Sequence, residues 1–97
     1  MKDYKLTKQA FKKLKKLSTS NIQTAKQIKN AINKLRQDLI VGETLQGFSN
    51  FRKIRIGSFR LIYTFQEDII IIAIIEKRES VYQTFAHLVK KSDFLNI

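Results

Sequence analysis

Gly57-Ser58 sits between two runs in which apolar and basic residues alternate, Phe51-Arg52-Lys53-Ile54-Arg55-Ile56 and Phe59-Arg60-Leu61-Ile62-Tyr63. No other feature of the chain constrains its fold as strongly. A two-residue loop with glycine first is the signature of a type II′ β-hairpin, because glycine accepts the positive φ that matches strand twist. The loop length fixes the register. Ile56 must oppose Phe59, Arg55 must oppose Arg60, Ile54 must oppose Leu61 and Lys53 must oppose Ile62. Opposed residues share a face and successive residues alternate. One face then carries Ile54, Ile56, Phe59, Leu61 and Tyr63. The other carries Lys53, Arg55, Arg60 and Ile62. Like charges directly opposed are destabilising, so packing alone gives little reason to set Arg55 against Arg60. A bound polyanion gives one.

The chain has 97 residues, enough for one domain with one hydrophobic core, and a 43% hydrophobic content suits a globular rather than a disordered chain. Its net charge of +11 favours a negatively charged partner. The excess is uneven. Residues 1–40 carry a net +9, mostly as lysine, while four of the five arginines lie in residues 41–97, whose net charge is +2. Lysine on its flexible stem suits diffuse attraction, and arginine suits geometric phosphate binding. The first half therefore reads as electrostatic attraction and the second as the site. Without cysteine there is neither a disulfide framework nor a thiolate metal site. No apolar signal core follows the N-terminus, and the longest apolar run, Ile69 to Ile75, is too short to span a bilayer. A soluble, cytoplasmic protein with no membrane partner is expected.

Residues 2–6 read as a short strand. Thr7 caps a helix over 8–17 with Ala10, Phe11, Leu14 and Leu17 on one stripe. Ser18-Thr19-Ser20 is expected to break it, and Ser20 with Gln23 has capping-box spacing for a second helix reaching about Asp38. That helix sets Ile22, Ala25, Ile28, Ile32, Leu35 and Leu39 at spacings of three and four. Residues 40–50 read as a loop, 51–57 and 59–65 as the hairpin strands, and 68–77 as an isoleucine-rich strand buried on both faces. Val81, Phe85 and Leu88 suggest a short closing helix over 81–91. The apolar hairpin face and the two helical stripes need each other. The expectation is an α+β fold, one domain over residues 1–97, with an N-terminal helical hairpin packed on one face of a small, mainly antiparallel sheet. The basic face is left open as a shallow concavity.

The element order and the string Arg52-Lys53-Ile54-Arg55-Ile56-Gly57-Ser58-Phe59-Arg60-Leu61-Ile62-Tyr63 resemble the RelE/ParE superfamily of toxins. Lys77-Arg78-Glu79-Ser80-Val81-Tyr82 is similar to that family's later basic segment. The resemblance implies a type II toxin–antitoxin toxin with a RelE-like fold. RelE-type members are ribosome-dependent endoribonucleases that cleave mRNA, and ParE-type members poison DNA gyrase and lack the ribonuclease residues. Carried over by position, Lys53 and Arg55 are similar to the paired basic residues of the second strand, and Arg60 to the arginine of the third. Arg78 or Lys77 is similar to the basic residue after the last strand, and Tyr82 to the aromatic near the C-terminus. One departure stands out: aligned strictly on Tyr82, Glu76 falls where some ribonuclease members carry a later arginine.

Cleavage through a 2′-hydroxyl needs a base, an acid for the leaving oxygen and cations for the developing phosphate charge. The acids are scattered, so a metal-nuclease reading is poor and metal-independent chemistry without a cofactor is expected. Lys53, flanked by the like charges of Arg55 and Arg60, is a candidate base. Arg60 can stabilise the transition state with its planar fork, Tyr82 can stack on a base or assist proton transfer, and Lys53, Arg55 and Lys77 can bind RNA. For His87, the one histidine, the bland reading of a helix-surface or satisfied core residue prevails. The lysines of residues 8–16 read as a solvated helix face that could also dock on RNA. The partners implied are a cognate antitoxin with an acidic toxin-binding segment, the ribosome and mRNA. Two alternatives stay open: a gyrase inhibitor, and a nucleic-acid-binding module that cleaves nothing.

Overall fold

The computed structural model describes residues 1–96. Its elements, in chain order, are β1 (Tyr4–Leu6), α1 (Lys8–Ser20), α2 (Ile22–Arg36), β2 (Glu43–Leu45), β3 (Phe48–Ile56), β4 (Phe59–Gln66), β5 (Ile69–Lys77) and α3 (Val81–Val89). The five strands form one sheet in the order β1-β5-β4-β3-β2, with only the β1–β5 pair parallel.

The hairpin takes the register that its loop dictates: Lys53↔Ile62, Ile54↔Leu61, Arg55↔Arg60 and Ile56↔Phe59, with Arg52↔Tyr63 beyond them. Gly57 has φ +59°, the conformation a type II′ turn requires at this position. The isoleucine run forms β5, an interior strand. Opposite the step from Ile62 to Tyr63 the register jumps from Ile74 to Ile72, which leaves Ala73 as a bulge. The bulge explains how Ile70, Ile72 and Ile75 all reach the core under the helices while Ala73 and Ile74 reach the other face.

Thr7 caps α1 as expected, its hydroxyl accepting from the Ala10 N–H, and also ties the helix to the sheet by donating to Ala73 O. The Gln9 amide accepts from Ile75 N–H and donates to Ile75 O. It takes the place of a strand where β1 ends, covering the free edge of β5. The expected break at Ser18-Thr19-Ser20 does not occur. These hydroxyls donate back to Leu14 O and Lys16 O, so α1 runs on to Ser20. Asn21 rather than Ser20 caps α2, accepting from Thr24 N–H. The helix ends at Arg36, two residues short of expectation, and Asp38 takes the left-handed conformation with φ +58°.

Residues 40–50 contain structure that the sequence reading missed. Glu43–Leu45 pairs with β3 around a two-residue Gln46-Gly47 loop, with φ +80° at Gly47. The expectation of an open second face also needs correction. α3 packs on it through Val81 and Phe85 and encloses a second small core with Leu45, Phe51, Ile62, Ala73 and Ile74. Only the end of that face nearest the β3–β4 turn stays accessible.

Candidate functional site

Two cross-strand rows build the accessible end. Glu43 opposes Lys53, which opposes Ile62. One step nearer the turn, Arg55 opposes Arg60, which opposes Glu76. Opposed residues project from the same face. Glu43, Lys53, Arg55 and Arg60 therefore converge, and with Arg78, Glu79 and Tyr82 they line a cavity of about 450 Å³. Four cations, two carboxylates and one phenol share this cleft.

Arg60 is the most constrained of them. Only 9% of its surface is exposed, and its Nη1 donates to Gly57 O at 3.0 Å and to Phe59 O at 2.8 Å. The turn carbonyls thus hold one nitrogen of the guanidinium, while Nε and Nη2 make no hydrogen bond among the described residues. Arg55 is exposed beside it. Arg78 enters from beyond β5, where its backbone N–H donates to Ser58 O at 2.9 Å and fixes the segment against the hairpin turn. Its Nε lies 3.2 Å from Glu79 Oε1. Backbone N–H hydrogen bonding, followed by the Arg78 hydrogen bond, holds the Glu79 carboxyl below the usual carboxylate value.

Tyr82 arrives on the first turn of α3. Lys53 Nζ donates to its hydroxyl at 3.0 Å and stands 5.4 Å from the ring centroid. The apolar side of α3 fixes this approach, because Phe85 is 2% exposed and meets Phe48 and Phe51 edge-on at 4.9 Å. With Val81 and Phe85 held inward, the intervening Tyr82 faces out beside the basic row.

Five of the candidate residues, Lys53, Arg55, Arg60, Arg78 and Tyr82, come together in one cleft. Lys77 does not line it and is solvent-exposed at the end of β5. Of the two alternatives for the late basic position, Arg78 is the one in the cleft. Glu76 is turned elsewhere, its carboxylate 3.0 Å from Lys13 Nζ and accepting from Lys77 N–H. His87 is exposed on α3 and also lies outside the cleft.

Glu43 was not among the sequence candidates. Its carboxylate has no ion pair or hydrogen bond among the described residues, and it borders four cations. Glutamates in loops are common and carry no signal alone. The short pattern Glu43-Thr44-Leu45 ahead of Gln46-Gly47 signals a second hairpin, but its loop length alone would set Glu43 opposite Asn50; the register shift after Thr44 is what brings Glu43 opposite Lys53.

The family model for the ParE toxin of the type II toxin–antitoxin system parDE matches residues 4–82. No curated protein sequence matches the chain at a significant level. Among solved structures, the YoeB dimer from Staphylococcus aureus superposes with a TM-score of 0.69 at 22% identity, covering 78% of this chain and 95% of that one. The YoeB–YefM complex from the same organism gives 0.69 at 22% identity, with 80% and 98% covered. A copper-bound mutant toxin from Helicobacter pylori gives 0.63 at 19% identity, with 82% and 98% covered. At these identities the neighbours speak for the fold alone, which this chain shares with them. The match over residues 4–82 decides the family: the chain belongs to the ParE toxins of type II toxin–antitoxin systems, within the RelE/ParE superfamily.

Proposed function

We propose that this toxin is a ribosome-dependent mRNA endoribonuclease, active without a metal ion and restrained in the cytoplasm by a cognate antitoxin. One observation carries the reading: a carboxylate with no hydrogen bond or ion pair among the described residues, Glu43, shares a cleft with Lys53, Arg55, Arg60, Arg78 and Tyr82.

The cleft offers each part of a 2′-hydroxyl attack. Glu43 takes the 2′-hydroxyl proton as the oxygen attacks phosphorus. Glu79 suits that role less, because its backbone and Arg78 contacts stabilise the ionised form. Lys53 is a weaker choice than its sequence context suggested, since its nitrogen already donates to Tyr82. Arg60 presents Nε and Nη2 to the non-bridging oxygens as charge develops, and Arg55 and Arg78 add to that field. As the P–O5′ bond breaks, the 5′ oxygen takes a proton from the Tyr82 hydroxyl. Lys53 occupies a lone pair of that hydroxyl and leaves its hydrogen free to point into the cleft. The products are a 2′,3′-cyclic phosphate and a 5′-hydroxyl, with no change in proton count. The cleft is shallow and open, so in-line geometry must come from outside, a task for the ribosome-bound message.

The antitoxin reading draws on the same surface. On the side away from β4, β3 has no strand partner beyond Lys53 among the described residues, and a groove of about 490 Å³ runs between that edge and Gln27, Asn30 and Lys34 of α2. This groove shares Glu43, Lys53 and Arg55 with the cleft. An extended acidic segment added to the edge would cover the cations and block RNA. YoeB, a structural neighbour, is known in complex with a second protein, YefM.

The ParE family match favours a second reading, inhibition of DNA gyrase without chemistry. Digesting a translated message with purified protein and ribosomes separates the two. The ribonuclease reading expects cleavage that Arg60→Ala abolishes. Full toxicity of Arg60→Ala, with accumulating DNA breaks, would favour gyrase.

A further inference from the structure

Tyr63 lies outside the cleft, on the helix-facing side of β4, and only 1% of its surface is exposed. Among the described residues its hydroxyl has one partner: it accepts the Gly42 N–H at 2.8 Å. Directly opposite Tyr63 across the hairpin, Arg52 donates through Nη1 to Gly42 O at 2.9 Å. The pair grips both polar groups of a single buried residue. The fit is close, since a Cβ at Gly42 would stand 2.6 Å from Lys53 O and 2.9 Å from the Tyr63 ring.

Ile40 packs partly against the main core and Leu45 is buried in the second, but between them Gly42 is the one buried residue. Upstream, Leu39 is 65% and Val41 75% exposed. Downstream, β2 has three residues and its register shifts after Thr44. Gly42 is the anchor, and the next residue is Glu43. Its placement opposite Lys53 depends on where Gly42 is held.

We infer that Tyr63 is a positioning residue for the reaction, acting through the Gly42 peptide to hold the Glu43 carboxylate over the scissile phosphate. The inference rests on the ribonuclease reading above and extends it to a residue that never touches RNA. A core position otherwise surrounded by isoleucine, leucine and phenylalanine would accept phenylalanine. The phenol is needed because a buried N–H must be paired and because that pairing sets the carboxylate. A displacement of about 1 Å at a reacting group is enough to lower a rate on the order of a hundredfold.

The test compares Tyr63→Phe, Glu43→Gln and the double variant in ribosome-dependent message cleavage, alongside amide hydrogen exchange at Gly42. Tyr63→Phe is expected to lower kcat about tenfold or more with KM nearly unchanged. It should have no further effect in the Glu43→Gln background, because both changes remove one contribution. Gly42 exchange should accelerate in Tyr63→Phe while the β4–β5 amides keep their protection. Arg52→Met, which releases the other side of the same peptide from a partly exposed site, should reproduce the pattern if Tyr63→Phe folds poorly. Losses that multiply in the double variant overturn the inference, as does wild-type kcat in Tyr63→Phe or an unchanged Gly42 amide. Accelerated Gly42 exchange in Tyr63→Phe, together with a wild-type protein that cleaves no RNA under any condition, would instead sink the ribonuclease reading, and this inference with it.

Discussion

Lys53 and Tyr82, from β3 and α3, meet over the floor of the cleft, with Nζ donating to the phenol at 3.0 Å. Both are partly solvent-accessible, so the contact contributes about 0.5–1 kcal/mol to stability and serves mainly to orient the hydroxyl. Tyr82→Phe keeps the ring and loses the proton donor. Message cleavage should fall about 10²-fold or more, while urea denaturation shows a change within ~1 kcal/mol.

Phe85 delivers Tyr82 to that contact. It is buried in the second core between Phe48 and Phe51 and is the largest of the side chains that anchor α3, beside Val81, Leu88 and Val89. Phe85→Ala should cost about 3–5 kcal/mol. Amide exchange should rise first in α3, because the main core under α1 and α2 does not contain this residue.

Gly42→Ala tests the tight approach of the β2 entry to the hairpin. The added methyl meets the Lys53 carbonyl, which is backbone and cannot swing aside. A loss of about 1–3 kcal/mol is expected by chemical denaturation, with the far-UV spectrum unchanged.

The pH dependence near the cleft has a definite sign. Backbone and Arg78 hydrogen bonds hold the Glu79 carboxyl below the ordinary glutamate value. A depressed carboxylate contributes stability that is present above its unfolded pKa and lost as pH falls through the folded one. Glu79→Gln should therefore leave stability differences visible near neutral pH that vanish in acid. The effect is small because the group is solvent-exposed. Parallel thermal melts of both proteins from pH 7 down to about pH 3 check it.

The sequence disclosed the site unevenly, for physical reasons. The hairpin register was readable because a two-residue loop permits one pairing, and that pairing placed Lys53, Arg55 and Arg60 together. Arg78 and Tyr82 were found through family resemblance and reach the cleft through contacts no local pattern encodes: a backbone bond to Ser58 and burial of Phe85. Glu43 was missed because a three-residue strand is too short to show periodicity, and its pairing partner is set by a register shift after Thr44 that no local pattern encodes. The serines at the end of α1 misled because their hydroxyls can stop a helix or bond back into it, and tertiary packing decides. Phe11, Ile22 and Leu39 sat on apolar stripes yet are more than half exposed. Periodicity located the faces of α1 and α2 but not how far each face remains covered. Nor could the stripe of Val81 and Phe85 reveal that α3 would cover part of the basic face.

The central claim is that this cleft breaks RNA through the neighbouring 2′-hydroxyl, with Glu43 as base. Its most direct test is ribosome-dependent cleavage of a message carrying a single 2′-deoxynucleotide at the mapped cleavage position. The account predicts that the all-ribose message yields a 2′,3′-cyclic phosphate end, that the deoxy message is spared at that position, and that Glu43→Gln spares both. Cleavage of the deoxy message at the same phosphate, or an uncut all-ribose message from a protein that still arrests growth, would contradict it.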